Sequence, residues 1–150
     1  MPTVRHFDSF TSARTNLPGV LDAAREGVVT TVTRDKERFV VMSADALGEQ
    51  PRHLLPSQAV VVPEGGGWAA FIPGVLVHGD AATFDDAVDD LLAALREYAQ
   101  DWNDRLHVTP NHAQHRSVVE LVELSDDEQL RGWLLGQPSL GAAADALAAT

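Results

Sequence analysis

Cysteine is absent from the 150 residues, which excludes disulfides and thiol chemistry and fits a cytoplasmic protein. No apolar run approaches the ~18 residues of a membrane-spanning helix. The opening residues, Met1-Pro2-Thr3-Val4-Arg5-His6, hold no apolar stretch of the signal-peptide kind. Signatures of catalysis are missing too. Ser, His and Asp all occur, but no nucleophile elbow does. Gly65-Gly66-Gly67 lacks the Lys-Ser/Thr that completes a phosphate loop, and no HExxH context supports zinc. No internal repeat is visible. The expectation is a binding protein without catalysis, cofactor, metal or membrane association.

Apolar residues make up 45% of the chain, enough to fill the core of one ordinary domain or two small ones. The net charge of -11 argues against a general nucleic-acid coat. That charge is unevenly placed. Residues 1–55 carry seven Lys/Arg and seven Asp/Glu, whereas residues 56–150 carry four basic and fifteen acidic residues. Such asymmetry suggests two jobs: one half able to approach a polyanion, the other suited to a basic partner.

Residues 3–7 read as a strand. Ser9 is a plausible N-cap for a helix with Phe10, Ala13, Leu17, Leu21 and Ala24 at helical spacing, closed by Gly27. Pro18-Gly19 falls inside that pattern, so a kink or restart is expected near Asn16. Val28–Thr33 and Phe39–Met42 form a hairpin with the charged tip Arg34-Asp35-Lys36-Glu37-Arg38. Ser43 caps a short helix, and the two prolines between Gln50 and Ser57 end the first unit. Strands are expected at Gln58–Val62 and Trp68–Ile72, around the turn Pro63–Gly67, and at Val75–His78 after Pro73-Gly74. Thr83 then opens the clearest helix, with Phe84, Val88, Leu91, Leu95, Tyr98 and Trp102 on one face. Asn111–Leu124 reads as helical. Ser125-Asp126-Asp127-Glu128 reads as a capping box before Leu130, Trp133 and Leu134, with Gly136 as the stop. The class is α+β, with a β-α-β-β-α unit over 1–55 and an acidic region over 56–150. That region divides into β-β-β-α (58–102), helices (103–136) and an alanine-rich flexible tail (137–150).

The segment Phe10-Thr-Ser-Ala-Arg14-Thr-Asn16-Leu17, with Val20-Leu21 and Gly27, resembles the opening helix of Phd/YefM antitoxins. The hairpin Val32-Thr33-Arg34 to Phe39-Val40-Val41-Met42-Ser43-Ala44-Asp45 resembles their next two strands and helix start. The likeness covers roughly residues 3–50. It implies a homodimer that binds operator DNA upstream of its own operon, followed by a segment that wraps a toxin. By position it places Ser12, Arg14 and Asn16 on the DNA-facing end of the first helix and Arg34 at the end of the second strand. Lys36 and Arg38 add positive charge at the tip. An arginine fork suits phosphate or guanine, and a helix N-terminus favours phosphate. Residues 58–102, through Gly79-Asp80 and Thr83-Phe-Asp-Asp86-Ala87, resemble a HicB-type antitoxin domain. This implies a three-stranded sheet backed by one helix that binds an RNA-cleaving toxin.

Each candidate has a plainer alternative. Arg14 and Arg34 can be ordinary solvated arginines. Asp85, Asp86, Asp89 and Asp90 form the wet face of an amphipathic helix more simply than a metal cluster, and Asp86 and Asp90 are candidates to attract a basic toxin. His112 and His115, with His107 nearby, could share a helical turn without being ligands. Trp68, Trp102 and Trp133 read as core or domain-packing residues, and Trp133 with Leu134 is also the candidate to anchor a toxin surface. The leading expectation is a toxin-neutralising, autorepressing antitoxin. The alternatives are a stand-alone Phd-like regulator with a ligand-sensing or oligomerising C-terminal domain, and a binding module whose first half only dimerises.

Overall fold

The computed structural model of the chain describes residues 4–136, so Thr3 and the tail expected at 137–150 lie outside the described residues. The class is α+β, with two three-stranded sheets and six α-helices among the described residues. The chain divides into two compact units, residues 1–47 and 48–150.

The first unit runs β1 (Val4–Phe7), α1 (Phe10–Thr15), α2 (Leu17–Arg25), β2 (Val29–Arg34) and β3 (Glu37–Val41), then enters α3 (Ala44–Leu54). The sheet order is β1-β2-β3, with β1 parallel and β3 antiparallel to β2. The Ser9 hydroxyl caps α1 by accepting from the Ser12 N–H at 3.1 Å. The restart expected near Asn16 is present. Asn16 ends α1 and opens α2, and Pro18 sits in the first turn of α2, where its missing N–H has no helical partner to lose. Gly27, at φ 86°, ends α2 in the left-handed conformation. The hairpin is tighter than its charged tip suggests. Arg34 pairs with Glu37 in the ladder, leaving a two-residue turn at Asp35 and Lys36, both at positive φ (51° and 76°). Two left-handed residues match the twist of the flanking strands, which explains the short loop. The core here is small: Phe7, Ala13 and Val20, with Val32 and Val41 packed against them.

Ser43 caps α3 as expected, its hydroxyl accepting from the Ala46 N–H at 3.1 Å. The helix nevertheless continues through Pro51 to Leu54. Proline removes one N–H but its carbonyl still accepts, here from Leu55 at 2.9 Å. The break between units falls between Leu47 and Gly48, ahead of the boundary expected at 55. Packing explains the shift. A Cβ on Gly48 would stand 3.3 Å from that of Leu124, Arg52 donates to the Ser125 hydroxyl at 3.0 Å, and the Leu55 carbonyl accepts from Trp133 at 2.6 Å. The second half of α3 therefore belongs to the second unit.

The second unit adds β4 (Val60–Glu64), β5 (Gly67–Phe71) and β6 (His78–Ala81), an antiparallel meander, then α4 (Phe84–Asp104). Gly65 and Gly66 make the first hairpin turn, both at positive φ. The third strand begins at His78 rather than Val75. A tight turn, with Val77 N–H donating to Val75 at 2.7 Å, buries both valines ahead of the strand. Thr83 caps α4 through the Asp86 N–H at 3.1 Å, and Val88, Leu91, Leu95, Tyr98 and Trp102 are buried as their spacing predicts. Phe84 is the exception. It stays 38% exposed and meets Trp68 edge-on at 5.4 Å. Gly79 lets the helix lie directly on β6, since a Cβ there would fall 2.4 Å from the Leu91 nitrogen.

Two short 3-10 turns (Leu106–Val108 and Ala113–His115) precede α5 (Arg116–Leu124), so the helix expected from Asn111 starts later. In α6 (Asp127–Leu134) the capping box is shifted by one residue, to Asp126 and Gln129. Ser125 is buried instead, its hydroxyl donating to the Leu121 carbonyl at 2.6 Å. Gly136, at φ 70°, ends α6 as expected.

Candidate functional site

In the first unit, strand pairing brings the end of β2 beside α1, and two arginines far apart in sequence meet one ring. The Arg34 guanidinium carbon lies 5.1 Å from the centre of the Phe10 ring, and that of Arg14 lies 5.9 Å from it. Both distances suit attraction between a guanidinium and an aromatic face. The Arg14 contact follows from helical spacing, one turn beyond Phe10. The Arg34 contact is tertiary. Arg34 also stands 3.9 Å from Asp35, but both side chains are largely exposed, which makes that ion pair weak.

Ser12 lies in α1, and Asn16 is the residue that ends it. The Asn16 side-chain amide donates to the Ser12 carbonyl at 3.0 Å, which ties it to the end of α1. Lys36 is exposed in the hairpin turn. Phe10 is the residue that sequence reasoning misplaced. Its helical spacing put it with the core, yet it is 45% exposed. The only signal in the sequence was its i,i+4 relation to Arg14.

The second unit rearranges the other candidates. Trp133 and Leu134, the residues expected to anchor a toxin surface, are both buried in the free chain, and the Trp133 indole N–H donates to the Leu55 carbonyl at 2.6 Å. The Leu134 carbonyl accepts from the Ser57 hydroxyl at 3.2 Å. Both side chains belong to the core cluster of the unit. The acidic face of α4 is partly neutralised. Arg131 of α6 binds Asp85 at 2.8 Å and pairs closely with Asp89. The Asp90 carboxylate accepts from the Asp80 N–H at 3.0 Å, capping the edge strand β6, while Asp86 is exposed. Arg96 acts similarly inside the unit. It donates to the carbonyls of Val122 and Ser125 at 2.6 and 2.8 Å, satisfying the end of α5, and also binds Asp127.

His112 and His115 meet a phenol. Their Nδ1 atoms lie 2.9 and 2.7 Å from the Tyr98 hydroxyl. That hydroxyl has one proton, so it donates to one ring and accepts from the other, which must carry its proton on Nδ1. Burial raises the Tyr98 pKa above its ordinary value. The His107 Nδ1 donates to the Trp102 carbonyl at 3.0 Å, and the Trp102 indole donates to the His112 carbonyl at 2.8 Å. Among the described residues no group of three or more His, Cys, Asp or Glu is placed to hold a metal, and no helix is long and apolar enough to cross a membrane.

Comparison with known proteins places this architecture. The sequence profile of a PHD-like family, described as antitoxin of toxin–antitoxin, RelE/RelB, TA system, matches residues 5–134. The chain belongs to this antitoxin family. The match spans both units. This antitoxin is also similar to a crystal structure from Syntrophomonas wolfei subsp. wolfei, assigned as the antitoxin part of a toxin/antitoxin system. The two share 20% identity with a TM-score of 0.64, over 86% of this chain and 95% of the other, a likeness of fold. No curated protein sequence matches the chain.

Proposed function

We propose that this antitoxin neutralises a cognate toxin with its acidic second unit. Its Phd/YefM-like first unit forms a homodimer and binds operator DNA to repress its own operon. The single observation that carries the DNA reading is the meeting of Arg14 and Arg34 on Phe10 at an exposed corner of a unit whose charges balance overall. Two guanidiniums held together at a surface are suited to neighbouring phosphates or a phosphate and a base edge. Ser12, Asn16 and Lys36 flank them and add polar contacts.

The homodimer is supported by what the first unit leaves uncovered. Leu17 and Leu21 on α2 and Phe39 and Val40 on β3 are each half exposed, beside a core of three residues. A unit of this size gains much of its stability by covering such side chains with a second copy. For the second unit, family membership implies a toxin partner. The β-β-β-α order accords with a HicB-like arrangement, and the acidic surplus, including Asp86 and Asp90 on α4, suits a basic partner. The mechanism is occlusion in the cytoplasm, with neither catalysis nor cofactor.

Co-expression with the product of the adjacent reading frame tests the reading. Growth arrest by the neighbour alone, rescue by this chain and co-purification of the two support neutralisation. A harmless or non-binding neighbour replaces it with the stand-alone regulator. Binding of the purified chain to the DNA upstream of its gene, lost in Arg14→Ala and Arg34→Ala, tests repression separately.

A further inference from the structure

We infer that Phe10 is a positioning residue: its exposed ring holds the guanidiniums of Arg14 and Arg34 in one pre-set pair, ready for the DNA backbone. The inference rests on the DNA reading proposed above. A phenylalanine that is 45% exposed and stands apart from the small core of its unit contributes little to packing. Its ring is nevertheless engaged, by a cation from its own helix and a cation from the end of β2. Position explains how. Phe10 is the first residue of α1, Arg14 follows one helical turn later, and the parallel pairing of β1 with β2 brings Arg34 to the same place.

The gain is one of pre-organisation. A free arginine loses much of its rotamer freedom when a ligand fixes it. A guanidinium already resting on a ring has lost part of that freedom, and its planar group keeps N–H donors for phosphate. Among the described residues no ion pair is seen for Arg14, and that of Arg34 with Asp35 is long and exposed. Phosphate therefore meets little competition from carboxylates at this pair. Phe10 thus acts through the two arginines, carrying no charge and making no polar contact itself.

The experiment uses the full chain and a labelled duplex of the sequence immediately upstream of its gene, with a scrambled duplex as reference. Phe10→Leu keeps apolar bulk and removes the π face. The expected result is an affinity about five- to tenfold lower at fixed salt, with an unchanged salt slope because no charge is lost. Phe10→Trp and Phe10→Tyr should restore binding, while Arg14→Ala and Arg34→Ala should each reduce the slope by about one. NMR of the arginine Nε–Hε groups in the free protein gives a second readout. Arg14 and Arg34 should be ordered in the wild type and Phe10→Trp, and averaged in Phe10→Leu. Wild-type binding by Phe10→Leu, with both arginine variants weakened, overturns the positioning role and leaves the DNA reading standing. So does unchanged arginine order in Phe10→Leu. Wild-type binding by both arginine variants overturns the DNA reading itself, and the inference with it.

Discussion

The two units solve the same problem with unequal means. The second buries a continuous cluster of seventeen residues, in which α4 is covered by the β4-β5-β6 sheet and by α5 and α6. The first has a cluster of only three, Phe7, Ala13 and Val20, and leaves Phe10, Leu17, Leu21, Phe39 and Val40 each close to half exposed. Polar groups differ in the same direction. In the second unit Arg96, Arg131, Tyr98, His112 and His115 are tied to other elements by hydrogen bonds. In the first, the arginines that matter lean on an exposed ring. A closed core suits a body that keeps its shape, whereas an open one suits a unit completed by a second copy. The difference matches the division of labour proposed here.

The largest expected effect tests the closed core. Leu95→Ala removes a side chain with no exposed surface from the centre of α4 and should lower stability by about 2–5 kcal/mol in denaturant titration. A loss near zero would mean that this unit is less tightly packed than described. Next comes Gly79→Ala. Its Cβ would press on the α4 backbone, and a loss of about 1–3 kcal/mol is expected in the same titration.

The open unit should respond differently. Leu21→Ser should change the stability of an isolated monomer by less than about 0.5 kcal/mol, because the side chain is already half exposed. In sedimentation it should shift the protein from dimer toward monomer, and a wild type that stays monomeric at all concentrations would remove the contrast between the units. The smallest effect concerns Tyr98. Its raised pKa means the folded state keeps the phenolic proton where the unfolded state loses it. Its contribution to stability is full below pH ~10, the ordinary tyrosine value, and is lost as pH rises from there through the folded pKa. Thermal unfolding of wild type and Tyr98→Phe across that range checks the sign: the two should converge as pH rises.

Much of the local structure was legible in the residues themselves. Ser9, Ser43 and Thr83 cap helices because a short hydroxyl accepts from an N–H three residues on, and Pro18 marks a restart because proline fits best in the first turn. The buried stripe of α4 follows from a period of 3.6. Misreadings arose where neighbouring patterns compete. Ser125 and Asp126 both look like N-caps, and burial of the serine decided between them. Val75 and Val77 have the alternation of a strand, but a tight turn places them in the core before the strand begins.

The sequence by itself determined the starts of α1 to α4, the two hairpins, the acidic surplus of the second half and the likeness of its first fifty residues to an antitoxin. These depend on local propensity, periodicity and composition, which act over a few residues. Tertiary structure alone decided that Trp133 and Leu134 face inward, that α3 is divided between the two units, and that Arg34 meets Arg14 on Phe10. Those outcomes depend on which distant segments pack or pair, and a side chain's surroundings are fixed only when the chain has closed around it.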